Sequence, residues 1–359
     1  DTGREIDFQL MGRDYAQRQS KWIGGAGNYD VNPDIIQLRG LQYLKTQAEN
    51  PDIRLLMENI YPKADLALAV NGDQRWMVWN DDNLSRDPGN RTQLRLSYYK
   101  DGVWSEPEFI YDDGTADFTP SVAAVDNGIL MAWNNIGRII TESEGLSEML
   151  ANTEISVTEN IYTAGGTKPN YITLTHDDKI DHSPRLVSNG EKALLVWSKS
   201  EELGLFGTGE SPATPGDCFY FSTWNEGTWS TAEMIPLDPA TILDFYLVME
   251  GDNALLLYMV DMGNDFSTGE DREVFAIVYD GSTWGEPIQL TDNQLLDYSP
   301  KAVWVNGDWF ITWIQAGKLV YQIGLDGVTR EGEWLENIQS DYQITVNEGS
   351  RPLVALVYT

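Results

Sequence analysis

The chain has 359 residues, of which 42% are hydrophobic, and its formal net charge at pH 7 is −32. A surface this acidic repels nucleic acid and anionic lipid, so we expect neither as a partner. No apolar stretch of about 18 residues occurs, so we expect no membrane insertion. The single cysteine, Cys218, excludes an intrachain disulfide and a cysteine-based zinc site, and its alternating surroundings predict a buried thiol on a strand.

The N-terminal segment, residues 1–61, is the least regular part of the sequence. Asn32 followed by Pro33 indicates the start of a short helix, because proline is favoured in a first helical turn. The chain starts at Asp1 without an export signal, so we expect a mature form or a piece of a larger protein. We treat residues 1–61 as a segment that supplies closing strands to the domain that follows.

From residue 62 to residue 359 a unit of four predicted strands recurs. An Asp-x-Ser/Thr-Pro phrase occurs at residues 117–120, 181–184 and 297–300, and each copy leads into two apolar runs separated by a tight turn. The second run ends in a tryptophan each time: Trp133, Trp197 and Trp313. Four strands in about 50–60 residues are typical of a β-propeller blade. A β-sandwich, the alternative, does not require a repeated aromatic residue at one register.

The blade count depends on how the two ends of the chain meet. Five units are complete or nearly so, and the sixth stops at residue 359 after its second strand. An open sheet edge invites aggregation, so we expect the N-terminal segment to add the missing outer strands. The sequence therefore favours an all-β propeller of four-stranded antiparallel blades, with six blades closed by the N-terminus. Seven blades are the alternative if residues 1–57 form a full blade.

One face of this propeller is predicted to carry the long connections. They join second to third strands at residues 80–91, 134–153, 198–216 and 261–271. The opposite face has only tight Asn-Gly and Asp-Gly turns. Binding sites usually lie on long loops held by a rigid scaffold, so we predict the site on this insertion face, over the central channel.

Acidic residues recur at equivalent sequence positions near the predicted channel mouth. The candidate ligand-binding residues are Asp117, Asp181, His182, Asp244, Asp297 and Tyr298. The four aspartates either cap their own turns by accepting backbone N–H groups or form a ring that binds a cation or sugar hydroxyls. No catalytic pair can be chosen, because 56 acidic residues make a chance pair nearly certain.

Two metal sites are conceivable from the sequence. One insertion concentrates acidic residues that suit calcium, although the ordered spacing of an EF-hand loop is absent: Asp261, Asp265, Glu270 and Asp271. The other is a pair of histidines six positions apart, His176 and His182. Beyond calcium, the sequence predicts no cofactor.

Three segments resemble propeller modules in large secreted or surface proteins of Gram-positive gut bacteria: residues 115–120, 146–155 and 267–274. The resemblance implies an extracellular or cell-surface location in a multidomain parent. The hairpin at Asp280-Gly281 is also similar to the Asp box of sialidases, but it lacks the residue that separates the Asp and Gly there. The Arg-Ile-Pro signature of sialidases is absent, and Ser350-Arg351-Pro352 does not replace it.

Three functions follow from these features. Because no hydrolase elbow or zinc-protease helix motif occurs, the leading hypothesis is a non-catalytic extracellular module that binds carbohydrate or a surface partner through the insertion face. The first alternative is a glycan-active hydrolase or lyase that uses the channel-mouth carboxylates. The second alternative is a structural spacer or assembly unit.

Overall fold

The computed structural model describes residues 64–141, 144, 146–200, 216–263, 268–331, 342–346 and 352–356. The predicted helix at Asn32 and the predicted closing strands of residues 1–61 lie outside this set, as does the segment 201–215. No helix among the described residues is long and apolar enough to cross a membrane. The chain divides into two compact units, one formed by Asn59–Ala302 and the other by Asp1–Glu58 with Val303–Thr359.

The first unit contains four antiparallel sheets, each built from strands that follow one another in the chain. The first sheet is β1 (Leu66–Asn71), β2 (Gln74–Asp82), β3 (Thr92–Lys100) and β4 (Val103–Trp104), with β5 (Glu108–Phe109) also paired to β3 and a 3-10 helix at Pro88–Asn90. The second sheet is β6 (Asp117–Val125), β7 (Gly128–Ile136), β8 (Thr153–Thr158) and β9 (Tyr171–Thr173), with helix α1 (Leu146–Leu150) between β7 and β8.

The next two sheets repeat this order. The third sheet is β10 (Ile180–Ser188), β11 (Ala193–Ser200), β12 (Asp217–Asn225) and β13 (Thr228–Trp229), with β14 (Glu233–Met234) also paired to β12. The fourth sheet is β15 (Ile242–Glu250), β16 (Asn253–Asp261), β17 (Arg272–Tyr279) and β18 (Ile288–Gln289).

The fifth four-stranded sheet begins with β19 (Asp297–Val305), within which the chain passes into the second unit. It continues through β20 (Asp308–Gln315), β21 (Lys318–Ile323) and β22 (Arg330–Glu331). A two-stranded sheet of β23 (Tyr342–Val346) and β24 (Pro352–Leu356) follows. The predicted all-β architecture of four-stranded antiparallel sheets is confirmed for the described residues, while the blade count and its closure stay predictions.

Within the first unit, neighbouring sheets pack face to face through strands that are buried on both sides. Side chains alternate between the two faces of a strand. On β11, Leu195 and Trp197 pack into a core shared with the second sheet, whereas Leu194 and Val196 pack into a core shared with the fourth sheet. Trp197 is fully buried, as a residue at a blade-to-blade interface should be.

The repeated Ser/Thr-Pro phrase forms a bulge near the start of the first strand of a sheet. Thr119, Ser183 and Ser299 have positive φ angles of 47°, 57° and 52°. The register shifts between Phe118 and Ser121 in β6, and again at the matching place in β10. A bulge adds a residue to one strand and re-aims the side chains beside it. The bulge thus sets the direction of the side chain of the aspartate that begins the phrase.

Candidate functional site

An aspartate or asparagine lies four positions before each aspartate of the repeated phrase and caps the turn that leads to it. Asp113 Oδ1 accepts the backbone N–H of Thr115 at 2.9 Å, and Asp177 Oδ1 accepts that of Lys179 at 2.9 Å. Asn293 makes the same bond to the backbone N–H of Leu295, at 2.7 Å. These are Asx turns. The capping role that one interpretation gave to the aspartate of the phrase therefore belongs to the residue four positions earlier.

The aspartate of the phrase instead accepts a hydrogen bond from the repeated tryptophan. Trp133 Nε1 donates to Asp117 Oδ1 at 2.8 Å, and Trp197 Nε1 donates to Asp181 Oδ1 at 2.6 Å. Both carboxyl groups are almost completely buried. The tryptophans therefore do more than pack between sheets, because each also holds one carboxyl oxygen in a fixed position.

In the second sheet a single amide joins two carboxyl groups. Asn135 Nδ2 donates to Asp117 Oδ1 and to Asp113 Oδ2, at 3.0 Å each. Those two oxygens therefore lie at most about 6 Å apart, twice one bond length. The Tyr171 hydroxyl also donates to Asp113 Oδ2, at 2.8 Å. We call Asp113, Asp117 and Asn135 the amide-bridged pair.

The pKa values of the amide-bridged pair are pushed apart. Burial raises the pKa of Asp117 to about 7, although Asn135 and Trp133 donate hydrogen bonds to it. Burial also acts to raise the pKa of Asp113, but hydrogen bonds from Thr115, Tyr171 and Asn135 outweigh it and hold that pKa below its usual value. Near neutral pH one carboxyl group is thus partly protonated while its exposed neighbour is ionised.

In the third sheet a lysine occupies the bridging position. Lys199 Nζ contacts Asp177 Oδ2 and lies 3.6 Å from Asp181 Oδ2. Burial raises the pKa of Asp181 to about 6. For Asp177 the hydrogen bond from Lys199 and the backbone N–H of Lys179 outweigh burial, and the pKa is lowered. We call Asp177, Asp181 and Lys199 the lysine-bridged pair.

Glu154 on β8 lies beside the lysine-bridged pair. It is 7% exposed, and its Oε2 has no hydrogen-bond partner among the described residues. Burial raises its pKa, and the charges of Asp181 and Asp177 add to the effect. Glu154 and Asp113 are not among the residues predicted from the sequence. The Asp-x-x-x-Asp spacing at 113/117 and 177/181 was the available signal for Asp113.

His182 has hydrogen-bonding partners other than a metal. Its Nδ1 lies 3.0 Å from Ser183 Oγ and its Nε2 3.3 Å from Ser200 Oγ. Burial lowers its pKa, which favours the neutral ring. No group of three or more histidine, cysteine or acidic side chains suited to a metal forms within the described residues, and a site that joins His182 to His176 stays a prediction.

The register of the fourth sheet places Asp244 away from the predicted ring. Asp117 and Asp181 pair with Asn135 and Lys199, each two residues beyond the repeated tryptophan. The matching place in β15 is occupied by Ile242, whereas Asp244 lies opposite Met259 and is exposed. The equivalence predicted for Asp244 is therefore not found.

The remaining candidates are distributed between two places. Asp297 is fully buried and accepts from Asn293 Nδ2 at 2.7 Å, and Tyr298 follows it at the start of β19. In the insertion after β16, Asp261 is buried at the wall of a cavity of about 390 Å³ between the third and fourth sheets. Glu270 is exposed, and Asp265 lies outside the described residues.

Comparison with known proteins identifies the fold. No protein-family model and no curated protein sequence matches the chain. An α-L-arabinanase of Penicillium chrysogenum, solved with arabinobiose, is 15% identical with a TM-score of 0.53, over 82% of this chain and 88% of that one. A GH93 α-L-arabinofuranosidase of Fusarium graminearum, also solved with arabinobiose, is 13% identical with a TM-score of 0.54, over the same shares.

These neighbours have β-propeller folds, so the propeller prediction is confirmed at the level of fold. A sialidase of Trypanosoma rangeli also matches, at 8% identity and a TM-score of 0.46 over 79% of this chain and 50% of that one, which is too distant to support an argument. The leading hypothesis from the sequence, a non-catalytic recognition module, is contradicted, because the two neighbours with the same fold are an arabinanase and an arabinofuranosidase.

Proposed function

We propose that the protein is a glycoside hydrolase in which Asp117 is the general acid and Asp113 the nucleophile. The observation that carries this proposal is the amide-bridged pair. The pKa of Asp117 lies above the usual value of an aspartate, and the pKa of Asp113 lies below it. Two carboxyl groups whose environments separate their pKa values in this way are the expected signature of acid and base roles.

The geometry suits a double-displacement reaction. Retaining glycosidases place their two carboxyl groups about 5–5.5 Å apart, and the joint bonds to Asn135 hold the two carboxyl oxygens within about 6 Å. In the first step Asp113 bonds to the anomeric carbon while the glycosidic bond breaks, and the leaving oxygen takes the proton of Asp117. Water then releases the sugar from Asp113, with Asp117 as base. We therefore expect the anomeric configuration to be retained.

Hydrogen bonds direct the proton of Asp117 to one oxygen. Trp133 and Asn135 both donate to Oδ1, so the proton of the neutral acid belongs on Oδ2. Asp113 is exposed and can meet a sugar directly. Beside it, the partly exposed ring of Tyr171, which packs 5.6 Å from the buried ring of Trp133, gives the site an aromatic wall. Sugars stack on such walls through their apolar faces.

Arabinose-containing glycans are the first substrates to test, because both neighbours described above were solved with arabinobiose. We would incubate the protein with arabinan, arabino-oligosaccharides and a wider glycan panel, and follow the anomer of the first product by NMR. Asp117→Asn and Asp113→Asn should each lower kcat/KM at least ~100-fold. Asp181→Asn, in the lysine-bridged pair, should lower it less than ~10-fold.

Asp126→Asn, at an exposed tight turn, is the control and should keep full activity. A complete lack of turnover on all glycans, or equal losses in Asp117→Asn and Asp126→Asn, would refute the proposal. Inversion of configuration would leave a hydrolase but remove the nucleophile role of Asp113.

We also propose that the protein acts outside the cell on its glycan. A separate proposal concerns the fold: residues 62–359 form six blades, which strands of residues 1–61 close. The two-stranded sheet of β23 and β24 supports closure, because no described residue supplies it with the two outer strands that the four-stranded sheets have. Deleting residues 1–61 should then yield an aggregating protein in analytical ultracentrifugation. A stable monomer would contradict this closure.

A further inference from the structure

A buried carboxylate at the end of β16 has no partner for its charge. Asp261 has no solvent exposure, and neither of its oxygens accepts a hydrogen bond from any described residue. Arg272 lies opposite Asp261 on the neighbouring strand β17, but no hydrogen bond from it reaches the carboxylate. A backbone bond from the N–H of Asp261 to Thr241 O, 3.0 Å long, fixes its position. An ionised group in this setting requires compensation by a cation or by several donors.

A second carboxylate of the same insertion faces the same space. Asp271 Oδ1 accepts the Thr268 hydroxyl at 2.9 Å, which leaves Oδ2 for another ligand. A Cβ atom on Gly263 would lie 2.1 Å from Asp271 Oδ2 and 3.7 Å from Asp261 Oδ1. The two oxygens are therefore at most about 6 Å apart, and Asp271 Oδ2 occupies the position beside Gly263 where another residue would carry its Cβ atom.

We propose that Asp261 and Asp271 bind a calcium ion above Gly263. Every side-chain ligand is a carboxylate oxygen, which favours a hard cation over zinc or copper. Calcium binds oxygens at about 2.3–2.6 Å, so one ion bridges oxygens about 5 Å apart. No third acidic, histidine or cysteine side chain joins the two within the described residues, so carbonyl oxygens and water complete the shell.

The site revises the metal prediction made from the sequence. Asp261 and Asp271 remain, Glu270 is exposed and takes no part, and Asp265 lies outside the described residues. The ion would tie the end of β16 to the start of β17, where the backbone N–H of Met262 already donates to Asp271 O at 3.0 Å. Its role is structural and separate from the glycoside-cleaving site.

The test is thermal unfolding and calorimetric titration of the full chain with calcium chloride, against a chelator. The unfolding midpoint of the wild type should rise by about 5 °C at saturating calcium. Asp261→Asn should lose that rise, yet unfold at a higher temperature than the wild type in chelator, because it removes an unpaired buried charge. Asp271→Asn should weaken calcium binding at least ~10-fold.

Two further variants separate a calcium site from a general effect of calcium on an acidic protein. Gly263→Ala should weaken binding as Asp271→Asn does, because its methyl group meets Asp271 Oδ2. Asp252→Asn, at the exposed hairpin turn between β15 and β16, should keep the full response. The proposal would be overturned if calcium did not raise the unfolding midpoint of the wild type, or raised that of Asp261→Asn equally. A stronger response to amines or magnesium than to calcium would also overturn it.

Discussion

The amide-bridged pair and the lysine-bridged pair occupy matching positions of consecutive sheets and differ mainly in one residue. Asn135 and Lys199 each lie two residues beyond a buried tryptophan and each contact both carboxyl groups of their pair. The asparagine joins its pair without adding charge, whereas the lysine adds a positive charge that compensates part of the negative charge. The scaffold therefore provides the same acidic turn twice, and the bridging residue decides whether it is suited to proton transfer or to ion pairing.

The largest stability difference between the two pairs should follow from removing the bridge. Lys199→Met leaves Asp177 and Asp181 without their cation, and its side chain is only 9% exposed, so we expect a loss of about 3–5 kcal/mol. Asn135→Ala removes neutral donors and should cost only about 1–2 kcal/mol. Urea unfolding at pH 7 measures both values.

An exposed ion pair provides the control for the lysine. Lys192 contacts Asp252 at 3.0 Å on the surface, and Lys192→Met should change stability by less than about 1 kcal/mol. If Lys199→Met cost no more than this control, Lys199 would not be compensating a buried charge, and the contrast between the pairs would fail.

The next effect concerns Asp117 and has a definite sign. The folded-state pKa of about 7 lies above the usual 3.8, so between these values the folded protein binds more protons than the unfolded chain. The contribution of Asp117 to wild-type stability therefore falls as the pH rises from about 4 to about 7. Asp117→Asn does not titrate, so it should match the wild type near pH 4 and exceed it by about 2–4 kcal/mol at pH 8.

Asp181→Asn should show the same pattern over a narrower range, because the pKa of Asp181 rises only to about 6. Urea unfolding at pH 4, 6 and 8 distinguishes the two variants. A pH-independent difference between Asp117→Asn and the wild type would mean that the carboxyl group is ionised in the folded state throughout.

The sequence predicts the fold more completely than it predicts the candidate active site. The repeated aspartate phrase and the repeated tryptophan predict four-stranded sheets, because both features recur at one register. They do not show that the tryptophan donates to the aspartate, since this contact depends on a bulge that pattern alone does not reveal. The equivalence of Asp244 failed for the same reason, because β15 shifts register beside it.

The sequence does not reveal the roles proposed for Asp117 and Asp113, for a different reason. Asp113 and Asp117 are two of 56 acidic residues, and what distinguishes them is burial and shared donors. Burial of Asp117 depends on how two sheets pack, and the low pKa of Asp113 depends on Tyr171, which is 58 positions away in the chain. Spacing marks the turn, but only the packed structure separates the two pKa values.

The smallest effect we predict is a shift in the pH dependence of activity. If Asp117 is the general acid, kcat/KM should fall above about pH 7, where its carboxyl group loses the proton. Trp133→Phe removes an indole N–H that favours the ionised form, so the alkaline limb should move up by about half a pH unit. Trp197→Phe makes the same change at Asp181 and should not shift the alkaline limb of the pH dependence of kcat/KM. A shift in Trp197→Phe but not in Trp133→Phe would assign the general acid to the lysine-bridged pair instead.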